Sequence, residues 1–123
     1  MKDADLGTMT MPQLVDRFTA LALDQFKAEL YGETKKYNRL YHEILAIERE
    51  LKKRAGDQRT VLVSLFEHPN PQVRLMAAQS TLAVARVAAC ETLQDIWDRR
   101  EFPQAAFAMG TLRALERGDR KPT

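Results

Sequence analysis

The residues able to do chemistry are few. Cys90 is the one thiol, His42 and His68 are the two imidazoles, and Asp95 and Asp98 flank the one tryptophan, Trp97. Cys90 would need His42 or His68 as a base to act as a nucleophile. The two aspartates beside Trp97 would place an acid next to an aromatic platform. Neither arrangement has the spacing its chemistry requires. One cysteine and two histidines do not make a closed zinc site. The five glycines are scattered and mostly end helices, so no phosphate-cradling loop is present. The plainer roles fit better. Cys90 reads as a small helix residue, His68 as a turn residue near a helix end, and Asp95 and Asp98 as solvated charges on a surface helix. The expectation is a protein that is not an enzyme, with no catalytic residue, no cofactor and no metal.

Those residues must be carried by helices. A capping box at Thr10 and Gln13, with Pro12 in the first turn, starts helix one. Its apolar stripe is Leu14, Phe18, Leu21 and Ala22, and Gln25 within it predicts an inter-helix hydrogen bond. Gly32 stops it. Helix two runs from about Glu33 to Ala55 on Tyr37, Leu40, Tyr41, Ile44, Ile47 and Leu51, with Gly56 past its end. Lys52, Lys53 and Arg54 in its last turn complement the helix dipole. Helix three follows Asp57 and reaches Glu67. In His68-Pro69-Asn70-Pro71 the first residue is pushed out of the helical region by the proline after it. Asn70 caps helix four, and Pro71 opens it. Helix four is expected to run to Ala85. It is apolar nearly all round, so it reads as the buried central rod. Helix five spans about Ala88 to Arg100 and helix six about Pro103 to Arg117, ended by Gly118. No stretch alternates with period two long enough to make a strand.

The 123 residues suit one core, organised as a loose leader over 1–9, a single helical domain over 10–118 and a polar tail over 119–123. The net charge of +2 demands no polyanion partner. A single cysteine suits a reducing compartment. The first residues hold no apolar signal core, and no run is long enough to span a membrane, so the expected location is the cytoplasm.

Two segments echo each other. PQVRLMAAQSTLAVA at Pro71 and PQAAFAMGTLRALER at Pro103 lie roughly 32 residues apart, within the range of helical-hairpin repeats. Pairing helices one with two, three with four and five with six gives an all-α stack of three antiparallel hairpins. Leu65-Phe66, His68 to Arg74, Ala77-Ala78 and Leu82 together resemble a HEAT repeat, which implies a HEAT/armadillo-like α–α superhelix. The chain is also similar to an uncharacterised bacterial family of small HEAT-like domains of unknown function. That likeness rests on Asn38-Arg39-Leu40, Leu51 to Gly56, the HPNPQVR segment, Phe102 to Ala105 and Leu115…Gly118…Lys121-Pro122. His68 and Asn70 stand where HEAT repeats often carry the acidic partner of an arginine. Arg74, on a helix with little polar surface, must find another partner. Glu48 falls inside the apolar stripe of helix two, so a Glu48–Arg74 pair is expected, or else a guanidinium capping the carbonyls at a helix end.

Two functions remain. Stacked hairpins present a groove that holds proteins or peptides without chemistry. A non-catalytic interaction module, regulatory or immunity-type, is therefore expected to bind an unidentified protein partner and to be a monomer or weak homodimer. Its predicted contact edge is Asn38, His42, Arg49 and Lys53, on one side of helix two. The alternative is nucleic-acid binding through Arg39, Arg49, Lys52, Lys53 and Arg54 with Arg99, Arg100, Arg113, Arg117, Arg120 and Lys121. Against it, Glu43, Glu48, Glu50, Asp95, Asp98, Glu101 and Glu116 interrupt the positive surface that phosphates require.

Overall fold

The computed structural model describes residues 3–123, and all regular structure within them is helical. Six α-helices and one 3₁₀ segment follow in order: α1 (Asp3–Leu6), α2 (Met11–Leu30), α3 (Thr34–Lys53), the 3₁₀ segment (Gln58–Glu67), α4 (Pro71–Ser80), α5 (Arg86–Asp98) and α6 (Gln104–Arg117). None of these helices is long and apolar enough to cross a membrane. The chain divides into two compact units, the first ending at Val61 and the second beginning at Leu62.

The first unit is built on the α2–α3 hairpin. Thr10 caps α2 through the expected capping box, its hydroxyl accepting from the Gln13 N–H and its own N–H donating to the Gln13 side chain. At the other end the chain reverses through Gly32, whose φ of +66° is costly for any residue with a Cβ. The antiparallel register is fixed by two cross-helix contacts. Gln25 Nε2 lies 3.5 Å from the Tyr37 carbonyl, and Arg17 Nη2 lies 3.3 Å from Glu43 Oε1. Leu14, Phe18, Leu21 and Ala22 of α2 and Leu40, Ile44, Ile47 and Leu51 of α3 are all buried between them.

The leader needs correcting. Residues 1 and 2 lie outside the described residues, but Asp3–Leu6 form a helical turn that packs on α3, and Leu6 is buried. Arg54 holds this turn in place, its Nη2 donating to the Leu6 and Met9 carbonyls at 3.0 and 2.8 Å. The same guanidinium donates through Nε to Glu50 at 2.8 Å. Glu50 is consequently the buried carboxylate of α3, while Glu48, nearer the apolar stripe, is only half-buried. Hydrogen bonds from Arg54 outweigh the burial of Glu50 and hold its carboxyl below the usual range, with help from Lys53.

Asp57 has φ of +49°, and its carboxylate takes two hydrogen bonds from the Arg59 side chain, at 2.9 and 2.7 Å. The segment that follows has the expected limits but is 3₁₀ rather than α-helical. Thr60, Val61 and Val63 are β-branched and weaken the α preference, and its last turn closes with a tight bond from His68 N–H to the Leu65 carbonyl.

In the second unit α4 packs on both α5 and α6, and α5 and α6 form a hairpin. Asn70 caps α4 as expected, its Oδ1 accepting from the Gln72 and Val73 N–H groups. Gln72 to Ala78 are all buried, so the expectation of a rod enclosed on several sides holds for these seven residues. The rod is shorter than expected. Thr81 Oγ1 donates to the Ala77 and Ala78 carbonyls at 2.8 and 3.2 Å, competing with the continuing helix, and α5 starts afresh at Arg86. Two pairs join α4 to α6: Gln104 Nε2 donates to Gln72 Oε1, and Gln79 Nε2 donates to Thr111 Oγ1, each at 3.0 Å. Both pairs are 32 residues apart in sequence and two helical turns apart in space. The helices α4 and α6 therefore run parallel, with these pairs at matching heights.

Candidate functional site

A cleft on the α3 side of the first unit gathers several cations. Arg39, His42, Glu43, Ala46, Ile47 and Arg49 come from α3, Arg17 and Leu21 from α2, and Leu6 from α1, around a volume of about 340 Å³. Helical spacing puts positions 39, 42, 43 and 46 on one face. The buried side chains of Leu6, Leu21 and Ile47 and the small Ala46 complete the lining, and Arg54 bonds the Leu6 carbonyl.

The cleft is electrostatically one-sided. Three guanidiniums and an imidazole surround a single carboxylate, Glu43. Glu43 is held against Arg17 at 3.3 Å and is about a quarter exposed. Arg39 is exposed and makes no ion pair among the described residues. The His42 ring stands edge-on to Tyr41, with centroids 5.9 Å apart.

Of the four residues predicted as a contact edge, His42 and Arg49 line this cleft. Asn38 is exposed on the same helix but is not part of the lining. Lys53 is turned to other work, its Nζ lying 3.1 Å from buried Glu50. Arg17 and Glu43 were not readable as site residues, because only the packing of α2 on α3 brings residues 26 apart together.

The expected Glu48–Arg74 pair does not form. Arg74 holds Glu101 instead, with both outer guanidinium nitrogens 2.7 Å from the two carboxylate oxygens. Its Nε donates to the His68 carbonyl at 2.7 Å, and Nη2 donates to the Pro69 carbonyl at 3.2 Å. Arg74 thus also bonds two carbonyls of the turn that leads into its own helix. The acidic partner missing from the HPNP turn is supplied 27 residues later, from the turn between α5 and α6. The Arg74 hydrogen bonds keep the Glu101 carboxyl below its ordinary value. Asn70 N–H donates to His68 Nδ1 at 3.0 Å, which occupies that imidazole nitrogen in the turn. These contacts are structural.

The other chemical candidates are dispersed. Cys90 is half-buried on α5 in a separate cleft with Arg86, Gln94, Met109 and Arg113. Asp95 lines a third cleft with His68, Arg74 and Arg99, and Asp98 is tied to Gln94 at 2.9 Å. Trp97 stacks edge-on against Phe102. No group of three or more His, Cys, Asp or Glu able to hold a metal occurs among the described residues.

Comparison with known proteins now places the chain. Residues 12–116 match the model of the family described as Domain of unknown function (DUF2019). The chain belongs to that family. It is also similar to the protein RPA1889 from Rhodopseudomonas palustris CGA009, known from a crystal structure. The two are 47% identical, the match covers 96% of this chain and 98% of that one, and the TM-score is 0.93. None of the curated proteins compared matches. The DUF2019 match takes in both units and every residue of the α3 cleft except Leu6.

Proposed function

We propose that this DUF2019 protein is a non-catalytic protein-interaction module of the HEAT-like helical-repeat kind, acting in the cytoplasm, with α3 as its contact element. The observation that carries the reading is the cleft on α3. Five cationic or titratable side chains, Arg17, Arg39, His42, Glu43 and Arg49, converge there. Cys90 lines another cleft without a histidine, and in the cleft that His68 shares with Asp95 the Arg74 side chain is held by Glu101. The parallel, in-register contact of α4 and α6 supports a repeat architecture, since equivalent helices of successive repeats pack in this way. Proteins built on such repeats bind partners along exposed helix faces.

The test is affinity capture from a lysate of the source cell, comparing wild-type protein with Arg49→Glu. A specific protein retained by the wild type and lost by the variant is the expected result. An identical captured set for both proteins overturns α3 as the contact element. Lys53 is unsuitable for such a test, because Lys53→Glu would set a second carboxylate beside buried Glu50 and disturb folding.

A further inference from the structure

We propose that the tip of the α2–α3 hairpin docks on an anionic lipid surface. The tip lies at the Gly32 end of α3, and of the residues named below only Arg39 also lines the cleft. The inference therefore goes beyond the interaction reading above. The chain reverses at Gly32, and the two side chains before it stand in solvent: Leu30 is 65% exposed and Tyr31 76%. Of the six large apolar side chains exposed among the described residues, these are the only two adjacent in the chain. An aliphatic side chain beside a tyrosine suits the boundary between lipid headgroups and acyl chains. The aliphatic group leaves water there, and the phenol keeps its hydroxyl in the wet layer.

The surrounding charge says what covers them. Lys27, Lys35, Lys36 and Arg39 are all exposed within about two helical turns of Gly32, against Glu29 and Glu33. None of these four cations makes an ion pair among the described residues. Helical spacing puts Lys27 on the face of Leu30 and Tyr31, and Lys35 and Lys36 on the side of Arg39. Side chains lean toward the N-terminus of their helix, and α3 begins at the tip. Lys35, Lys36 and Arg39 therefore lean toward the apolar pair. Cations about one turn, roughly 5 Å, behind an apolar tip meet lipid phosphates once the tip enters the headgroup layer. A nucleic acid would reward the cations but not Leu30, which offers no ring for a base to stack on. The contact is peripheral, since no helix among the described residues is long and apolar enough to cross a membrane.

The experiment is vesicle co-sedimentation of the full chain. Vesicles of phosphatidylcholine alone are compared with vesicles of equal parts phosphatidylcholine and phosphatidylglycerol. Binding of a single-stranded oligothymidylate is measured separately. The protein should sediment with the mixed vesicles and stay in solution with phosphatidylcholine alone. Two double variants divide the contributions: Leu30→Ser with Tyr31→Ser, and Lys35→Glu with Lys36→Glu. All four side chains are exposed, and glutamate in the first turn of α3 suits the helix dipole, so circular dichroism should show both variants folded. Each should lower the partition onto mixed vesicles by about tenfold or more. Absence of binding to mixed vesicles, equal binding to phosphatidylcholine alone, or unchanged binding of either folded variant overturns the proposal. Oligothymidylate binding that is lost in the lysine variant and kept in the Leu30 and Tyr31 variant, with vesicles left unbound, overturns it in favour of a nucleic-acid surface.

Discussion

Arg74 shows how far a single residue can be read in advance. Its type and its place on a mostly apolar helix require a partner, because a buried guanidinium left uncompensated is costly. Which carboxylate answers is a matter of packing, and it is Glu101 rather than Glu48. Arg74→Ala and Glu101→Ala are each expected to lower stability by about 1.5–3 kcal/mol, the range for hydrogen bonds to charged groups. Urea unfolding of the double variant should show less than the sum, while Glu48→Ala combined with Arg74→Ala should be additive. Acid should expose the same contacts. The carboxyls of Glu101 and Glu50 are held below their ordinary value near 4.5 in the folded chain, so the unfolded chain binds protons first as pH falls. Their contribution is complete above about pH 5 and is lost as pH drops through the depressed folded values. In wild-type protein the thermal midpoint should fall between pH 5 and pH 3, and in Glu101→Gln it should fall less steeply.

At the scale of elements, most helices and their start points were legible, and helix ends were less so. Thr10, Asn70 and Gly32 act locally, and each does what its type implies. Asn70→Ala should cost about 1 kcal/mol by denaturant midpoint, the usual value of an N-cap. The end of α4 depended on a competition no periodicity reveals, the back-bonding of Thr81 to Ala77 and Ala78. The α1 turn was missed because its anchor lies at the far end of α3. Arg54→Met should remove the bonds to the Leu6 and Met9 carbonyls and to Glu50. Hydrogen exchange should then speed up at Thr8 and Met9, whose N–H groups close the turn, while the amides of Phe18 to Ala22 in α2 stay protected. Equal exchange at Thr8 and Met9 in the two proteins would show that Arg54 does not hold the turn.

For the whole molecule, the all-helical class followed from periodicity, proline and glycine placement and the lack of period-two alternation. Two contacts join positions about 32 residues apart: Gln72 meets Gln104 and Gln79 meets Thr111. Those pairs make a whole-unit prediction. Thr111→Val leaves the Gln79 amide without its partner and should destabilise the second unit by about 1 kcal/mol, as a lost neutral hydrogen bond does. Calorimetry of the variant would check it, and an unchanged profile would show that this rung contributes nothing.

What the sequence by itself determined is what local rules control: the starts of α2, α3, α4 and α6, most of the apolar faces of α2 and α3, the burial of Val73 and of Leu75 to Ala78 in α4, and the need of Arg74 for a partner. Part of the candidate site was also within reach, since His42 and Arg49 share one side of α3 by helical spacing alone. Only the tertiary structure decided which groups meet. Leu6 reaches the cleft because Arg54 bonds a turn more than forty residues earlier, Arg17 because α2 lies antiparallel on α3, and Glu101 reaches Arg74 from another turn. Pairings of that separation depend on how helices pack against one another, and packing depends on shape and volume that no periodic pattern of residue types encodes.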